Sequence, residues 1–257
     1  MNKYFVVSDI HSYFDEMIAA LNEAGWDPTN PNHYIICCGD VFDRGAKPKE
    51  VMKFFLTTDR VILIRGNHED LLEDAALRGY FMNHDFINGT YDTCLRLSGD
   101  SFATDSEALD RAFRCTRNLF DRMKNYYETE HYIFVHGWIP CRNDKLPFHW
   151  INNRKWEYFP DWRKAPQDMW EDARWVNGMY AANRGIIEPN KTIVCGHWHC
   201  SYGHAIASVG RLVEFDKGDK KADFSPYYGK GIIAIDACTV LTKKVNCIVI
   251  EDNELEG

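Results

Sequence analysis

Residues 34–45 read Tyr-Ile-Ile-Cys-Cys-Gly-Asp-Val-Phe-Asp-Arg-Gly. The apolar run Tyr34–Cys38 has the length of a buried strand, and Gly39-Asp40 ends it in a polar loop. The same grammar recurs on either side. Upstream, Tyr4-Phe5-Val6-Val7 stops at Asp9-Ile-His11; downstream, Arg60-Val-Ile-Leu-Ile64 stops at Arg65-Gly-Asn-His-Glu69. Between the runs, helical spacing returns: Phe14, Met17, Ile18 and Leu21, closed by Gly25, then Val51, Phe54 and Phe55. Strand, polar loop and helix in alternation predict an α/β layered domain with its function at the carboxyl ends of the strands.

Further along, residues about 70–130 turn helical, with Leu71, Leu72, Ala75 and Ala76 first and a second stretch from Leu109 to Met123. Strands resume at Tyr132–Val135, followed at once by His136-Gly137, and at Ile193–Cys195, followed by Gly196-His-Trp-His199. The close is β-rich, with predicted strands at Arg211–Phe215, Gly231–Asp236 and Val245–Ile250. Lys217 to Lys230 is charged and contains glycine, which reads as a surface loop. The Trp-rich segment at about 142–180 (Trp150, Trp156, Trp162, Trp170, Trp175) reads first as core packing and second as a cleft wall. With no repeat or linker, the 257 residues form one domain, 1–257.

Bulk properties narrow the partners. A net charge of -8 does not favour a nucleic-acid backbone. The first apolar run is too short for a signal peptide, and nothing approaches the roughly 18 apolar residues of a membrane span. The nine cysteines are scattered and contain no C-x-x-C pair, while the adjacent Cys37 and Cys38 must face opposite sides of a strand. They read as buried free thiols, so a cytoplasmic protein without membrane partners is expected.

The strand ends carry the chemistry. Asp9, His11, Asp40, Asn67, His136 and His197 are metal-competent groups at five successive strand ends, which such a fold brings together. Carboxylate, amide oxygen and imidazole suit Mn, Fe or Zn, and no thiolate suggests a structural zinc site. Six groups are too many for one catalytic ion that keeps an open position. They suit two ions, separated by roughly 3.5–4 Å and sharing a carboxylate.

Asp9-x-His11, Gly39-Asp-Val-Phe-Asp-Arg-Gly45, Arg65-Gly-Asn-His-Glu69, His136-Gly137 and Gly196-His197 resemble, in order, the signature of the phosphoprotein phosphatase family. That family includes bacterial and phage serine/threonine phosphatases and symmetrical diadenosine tetraphosphate hydrolases. The resemblance implies a metallophosphoesterase-type sandwich of two mixed sheets flanked by helices, with 70–130 as a helical insertion. It implies that Asp9 and His11 hold one metal, Asn67, His136 and His197 the other, and that Asp40 bridges them. A metal-bridging hydroxide would attack phosphorus in line, with His68 as general acid, Asp43 orienting it, and Arg44 and Asn67 on the phosphate. Arg174 is carried over as a second phosphate ligand; Arg65 reads first as a structural ion pair beneath the loop and second as a further phosphate contact.

Two departures stand out. Where the family carries Thr after Gly196-His197, this chain has Trp198-His199, the Gly-His-x-His ending of the wider metallophosphoesterase superfamily. In an extended segment residues 197 and 199 point the same way, so His199 is a candidate seventh ligand. Ala237-Cys238 replaces the common Thr-Gly. The resemblance thus implies a phosphatase acting on phosphoserine or phosphothreonine in proteins. The alternative is a dinucleoside polyphosphate hydrolase, with the Trp-rich segment and Arg154, Lys155, Arg163 and Lys164 holding base and phosphates. An inactive binding module should have lost a ligand or the acid, and none is missing.

Overall fold

The computed structural model describes residues 1–142, 157–209 and 222–255. The first half runs β1 (Asn2–Val7), α1 (Phe14–Glu23), β2 (His33–Cys37), α2 (Pro48–Thr57) and β3 (Val61–Leu63). Four helices follow: α3 (Asn67–Arg78), α4 (Asn83–Asn88), α5 (Thr90–Ser98) and α6 (Asp105–Phe120). The second half holds β4 (Tyr127–Glu128), β5 (Tyr132–Phe134), β6 (Cys141–Arg142), β7 (Glu157–Tyr158), α7 (Gln167–Ala173), α8 (Gly178–Asn183) and β8 (Thr192–His199). It closes with α9 (Cys200–Val209), β9 (Tyr227–Gly229), β10 (Ile232–Asp236), α10 (Thr239–Thr242) and β11 (Ile248–Asp252).

Two mixed sheets result, ordered β11-β1-β2-β3 and β4-β5-β8-β10-β9. The first holds parallel β1, β2 and β3 with β11 antiparallel beside β1, and the second holds parallel β5, β8 and β10 flanked by antiparallel β4 and β9. Strand alternation divides the apolar residues into layers. Phe5, Val7, Ile35, Cys37 and Leu63 pack outward on Met17 and Leu21 of α1, Val51 and Phe55 of α2 and Leu109 of α6. Tyr4, Val6, Ile36 and Cys38 face inward onto Phe134, Val194 and Ile235 of the second sheet. The outer face of that sheet, with Ile133, Ile193 and Ala234, is covered by Trp138, Trp162, Trp170 and Met179. Both faces of each sheet are therefore buried, which is why its parallel strands read as unbroken apolar runs rather than alternating ones.

The adjacent thiols fall as expected, Cys37 in the outer layer and Cys38 between the sheets. Trp162 and Trp170 are core, whereas Trp175 is 41% exposed. The expected strand 211–215, residues 217–221, Trp150, Trp156, Arg154 and Lys155 lie outside the described residues. Two expectations need correction. Residues 227–229 of the expected surface loop form the edge strand β9, zipped to β10. The strand expected to end at Cys195 runs on as β8 to His199, because Asp236 of β10 pairs with His199 after a register irregularity.

Candidate metal centre

The loops after β1, β2, β3 and β5, together with the end of β8, converge on one cleft. His11, Asp40, Arg44, Asn67, His68, His197 and His199 line it. Six of the predicted site residues sit in left-handed backbone: Asp9 (φ 51°), His11 (49°), Asp40 (53°), Asp43 (72°), Arg44 (63°) and His197 (66°). Such conformations disfavour side-chain-bearing residues, cost of order 1–3 kcal/mol each, and persist where the surroundings over-determine them. Here the over-determination is visible. Glu69, fully buried, accepts from Asp40 N (3.0 Å) and Gly66 N (2.8 Å) through one oxygen and from Val41 N (2.9 Å) through the other. The β2 and β3 loops are thereby tied to one carboxylate. Two glycines are required by closeness alone. A Cβ on Gly66 would fall on the Asp40 carboxylate and backbone, and one on Gly196 on Ser8 Oγ and the Asp9 carboxylate.

Two groups of possible ligands emerge, His11–Asp40–His68 and Asp40–His136–His197, and in each the ligand atoms lie within 4.8 Å of one another. Asp40 belongs to both. Its Oδ1 lies 3.3 Å from His136 Nε2 and its Oδ2 3.7 Å from His11 Nε2. Carbonyl oxygens only accept, so His11 Nδ1 donates to Phe42 O (3.0 Å) and His136 Nδ1 to Cys38 O (2.7 Å). The Nε2 lone pairs of both rings are thereby turned into the cleft, the orientation a metal ligand needs. Asn67 Oδ1 lies 2.7 Å from His136 Nε2 and 2.9 Å from His197 Nδ1.

This donor set fits divalent cations. His197 turns Nδ1 to the amide oxygen of Asn67, while the Trp175 backbone also bonds its ring. His136 Nε2 presents a lone pair to an amide oxygen, an acceptor facing an acceptor. Burial drives the His11 and His136 imidazoles well below their usual range and His197 down to about 3, so all three are neutral. The carboxylates respond in the opposite sense. Burial raises Asp9, then its neighbour Asp236 adds to it; Asp40 is raised by burial, then by Asp9 and Glu69. Neutral rings and crowded carboxylates around a common point form an environment that a bound cation would stabilise.

Beside this group, His68 Nδ1 meets Asp43 Oδ2 at 2.7 Å. Thr90 Oγ1 donates to the same oxygen at 2.8 Å. Arg44 reaches across the cleft, with one terminal nitrogen 3.5 Å from His11 Nε2 and the other 3.3 Å from His68 Nε2. Asp9 accepts from His197 N (3.0 Å) and Ser8 Oγ (2.6 Å), but it belongs to neither ligand group. Nor does His199, which lines the cleft and pairs across the sheet with Asp236. His197 and His199 nonetheless line the same cleft.

Arg174 stands apart from its expected place on the phosphate. It is 2% exposed, does not line the cleft, and donates to Asp70 Oδ2 (2.6 Å) and Asn125 Oδ1 (2.7 Å). Asp70 also takes Arg65 Nε at 2.6 Å, so the two arginines share one carboxylate beneath the β3 loop. Sequence reasoning missed Glu69, Thr90 and Asp236 as site residues. Glu69 lay inside a quoted motif, and Asp236 ended a predicted strand just as Asp40 follows β2. Thr90 carried no signal at all.

The calcineurin-like phosphoesterase family model matches residues 3–201. An asymmetrical bis(5'-nucleosyl)-tetraphosphatase of Bacillus velezensis is 36% identical over 74 residues, 25% of this chain, and the match spans 30% of that relative's length. A cold-active protein-tyrosine phosphatase of a psychrophilic Shewanella superposes with a TM-score of 0.54 at 16% identity, covering 98% of this chain and 76% of that one. For a protein serine/threonine phosphatase from Saccharomyces cerevisiae the TM-score is 0.50 at 15% identity, covering 99% and 81%. At these identities the two structures bear on the fold alone.

Proposed function

The chain belongs to the calcineurin-like phosphoesterase family, and from that premise we propose a phosphatase with two divalent metal ions that hydrolyses phosphomonoesters, phosphorylated protein side chains foremost. The observation that carries this reading is Asp40 shared between two ligand groups, with the His68–Asp43 pair at their edge. His11 and Asp40, with Asp9 beside them, would hold one ion; Asn67, His136 and His197 with Asp40 would hold the other. His199 could complete the first ion's shell from across Asp236. Bound there, the ions supply Lewis acidity and make water nucleophilic at neutral pH.

The chain's own groups do the rest. Arg44 turns its fork from His11 and His68 to the phosphate oxygens, where planar bidentate donation matches developing charge. Asp43 accepts the Nδ1–H of His68 and stabilises the doubly protonated ring, so Nε2–H is available to the leaving oxygen.

A nucleoside polyphosphate substrate would be the second reading, favoured by the curated relative. It needs cations along the phosphate chain. Arg163, expected to serve there, is held by Glu128 and Glu188 instead. Parallel assays of Mn-loaded protein on a phosphopeptide and on diadenosine tetraphosphate test the reading. Turnover of the phosphopeptide that falls by roughly 10²–10⁴-fold in His68→Asn, with metal content kept, is expected. Turnover of the nucleotide alone would overturn it.

A further inference from the structure

We propose that the apolar cleft opening off the metal centre holds the substrate's leaving group and selects a flat, uncharged aromatic one; this rests on the phosphatase reading. The cleft has a volume of about 760 Å³, the size of a small-ligand pocket. It shares Arg44, His197 and His199 with the metal centre. A phosphate seated among those residues has this cleft beside it to receive its ester group.

The walls set the chemistry. Trp198 and Tyr202 stand edge to face, with ring centroids 6.4 Å apart and planes at 73°. Ile87 and Leu241 form the lips, 75% and 51% exposed, and a bound ring would cover them. Ser201, only 5% exposed, lines the cleft with an Oγ that has no hydrogen-bond partner among the described residues. Among the described lining residues Arg44, at the metal end, is the one with an Arg or Lys side chain. A charged or extended polyphosphate leaving group would find no counter-ion deeper in. A short serine or threonine side chain would leave the aromatic wall uncovered, whereas a ring buries area against it. The cleft therefore suits an aromatic monoester better than phosphoserine or phosphothreonine.

The test compares the Mn-loaded full chain on phenyl phosphate and 2-naphthyl phosphate, leaving groups that differ in area far more than in basicity. Binding of phenylphosphonate and 2-naphthylphosphonate is followed in parallel by calorimetry. The naphthyl ester should be favoured by about tenfold in kcat/KM, and Trp198→Ala should erase that ratio. Leu241→Asp, at an exposed position that does not threaten folding, should erase it as well. A ratio near one in the parent, or variants that lower both esters alike, overturns the inference. If neither ester turns over, the phosphatase reading fails instead and the phosphonates decide. A naphthyl preference abolished by Leu241→Asp upholds the cleft; equal or absent binding sinks it.

Discussion

Glu69→Gln probes how the strained loops are held. The native carboxylate accepts three backbone N–H groups, at 2.8, 2.9 and 3.0 Å. A glutamine of the same shape must turn its NH₂ toward at least one of these donors. That buried N–H then lacks an acceptor, a cost of about 1–3 kcal/mol, and the surviving bonds fall from charge-assisted to neutral strength, about 1 kcal/mol each. Removing a charge that burial already disfavours, since it lifts the Glu69 carboxyl above its usual range, returns part of this. The net is a loss of about 2–4 kcal/mol. For a chain of this size each kcal/mol lowers Tm by about 2–4 °C, so the metal-free variant should melt about 5–15 °C lower by calorimetry. Metal affinity should fall with it, because Asp40 and Asn67 lose their common anchor. A metal-free variant melting within about 1 °C of the parent would refute the reasoning.

Two further outcomes are expected. Thr90→Val removes the hydroxyl donor to Asp43 without changing shape; kcat should fall by about tenfold with metal content unchanged, and an unaltered kcat would show that Asp43 is held without it. At the surface, the hydrogen bond from His131 to Asp252 (2.8 Å) raises the imidazole above its ordinary 6.5. Asp252 is lowered from 3.8, its hydrogen bonds with His131 and Thr129 outweighing the effect of burial. A raised histidine stabilises fully below 6.5 and loses that contribution as pH rises through its folded value; a lowered aspartate loses its own as pH falls through its folded value. His131→Asn should therefore be less stable than the parent to urea near pH 6 and indistinguishable near pH 9, and a gap that persists at pH 9 would contradict this.

What was legible in the sequence followed from burial. Tyr4–Val7 and Tyr34–Cys38 are covered on both faces, so their unbroken apolar runs announced strands, and the polar residues after them announced the cleft. Asp9, His11, Asp40, Asn67, His136 and His197 were singled out in this way. Arg174 was not placed, because whether an arginine meets substrate or an internal carboxylate depends on tertiary neighbours; here Asp70 captures it. Thr90 bonds Asp43, 47 positions back, and the charge of Asp236 acts on Asp9, 227 positions back, which no local pattern encodes. The extension of β8 to His199 was hidden for the same reason, since it depends on register with β10. Strands of two or three residues, such as β4 and β9, are too short to display a period.

The central claim is that Asp40 joins two metal sites. Its most direct test is metal content by inductively coupled plasma mass spectrometry, after Mn loading and desalting, with folding checked by circular dichroism. The parent should hold about two ions per chain, folded His136→Ala about one, and folded Asp40→Ala close to none. A parent that retains one ion or none, or an Asp40→Ala variant that retains both, would contradict it.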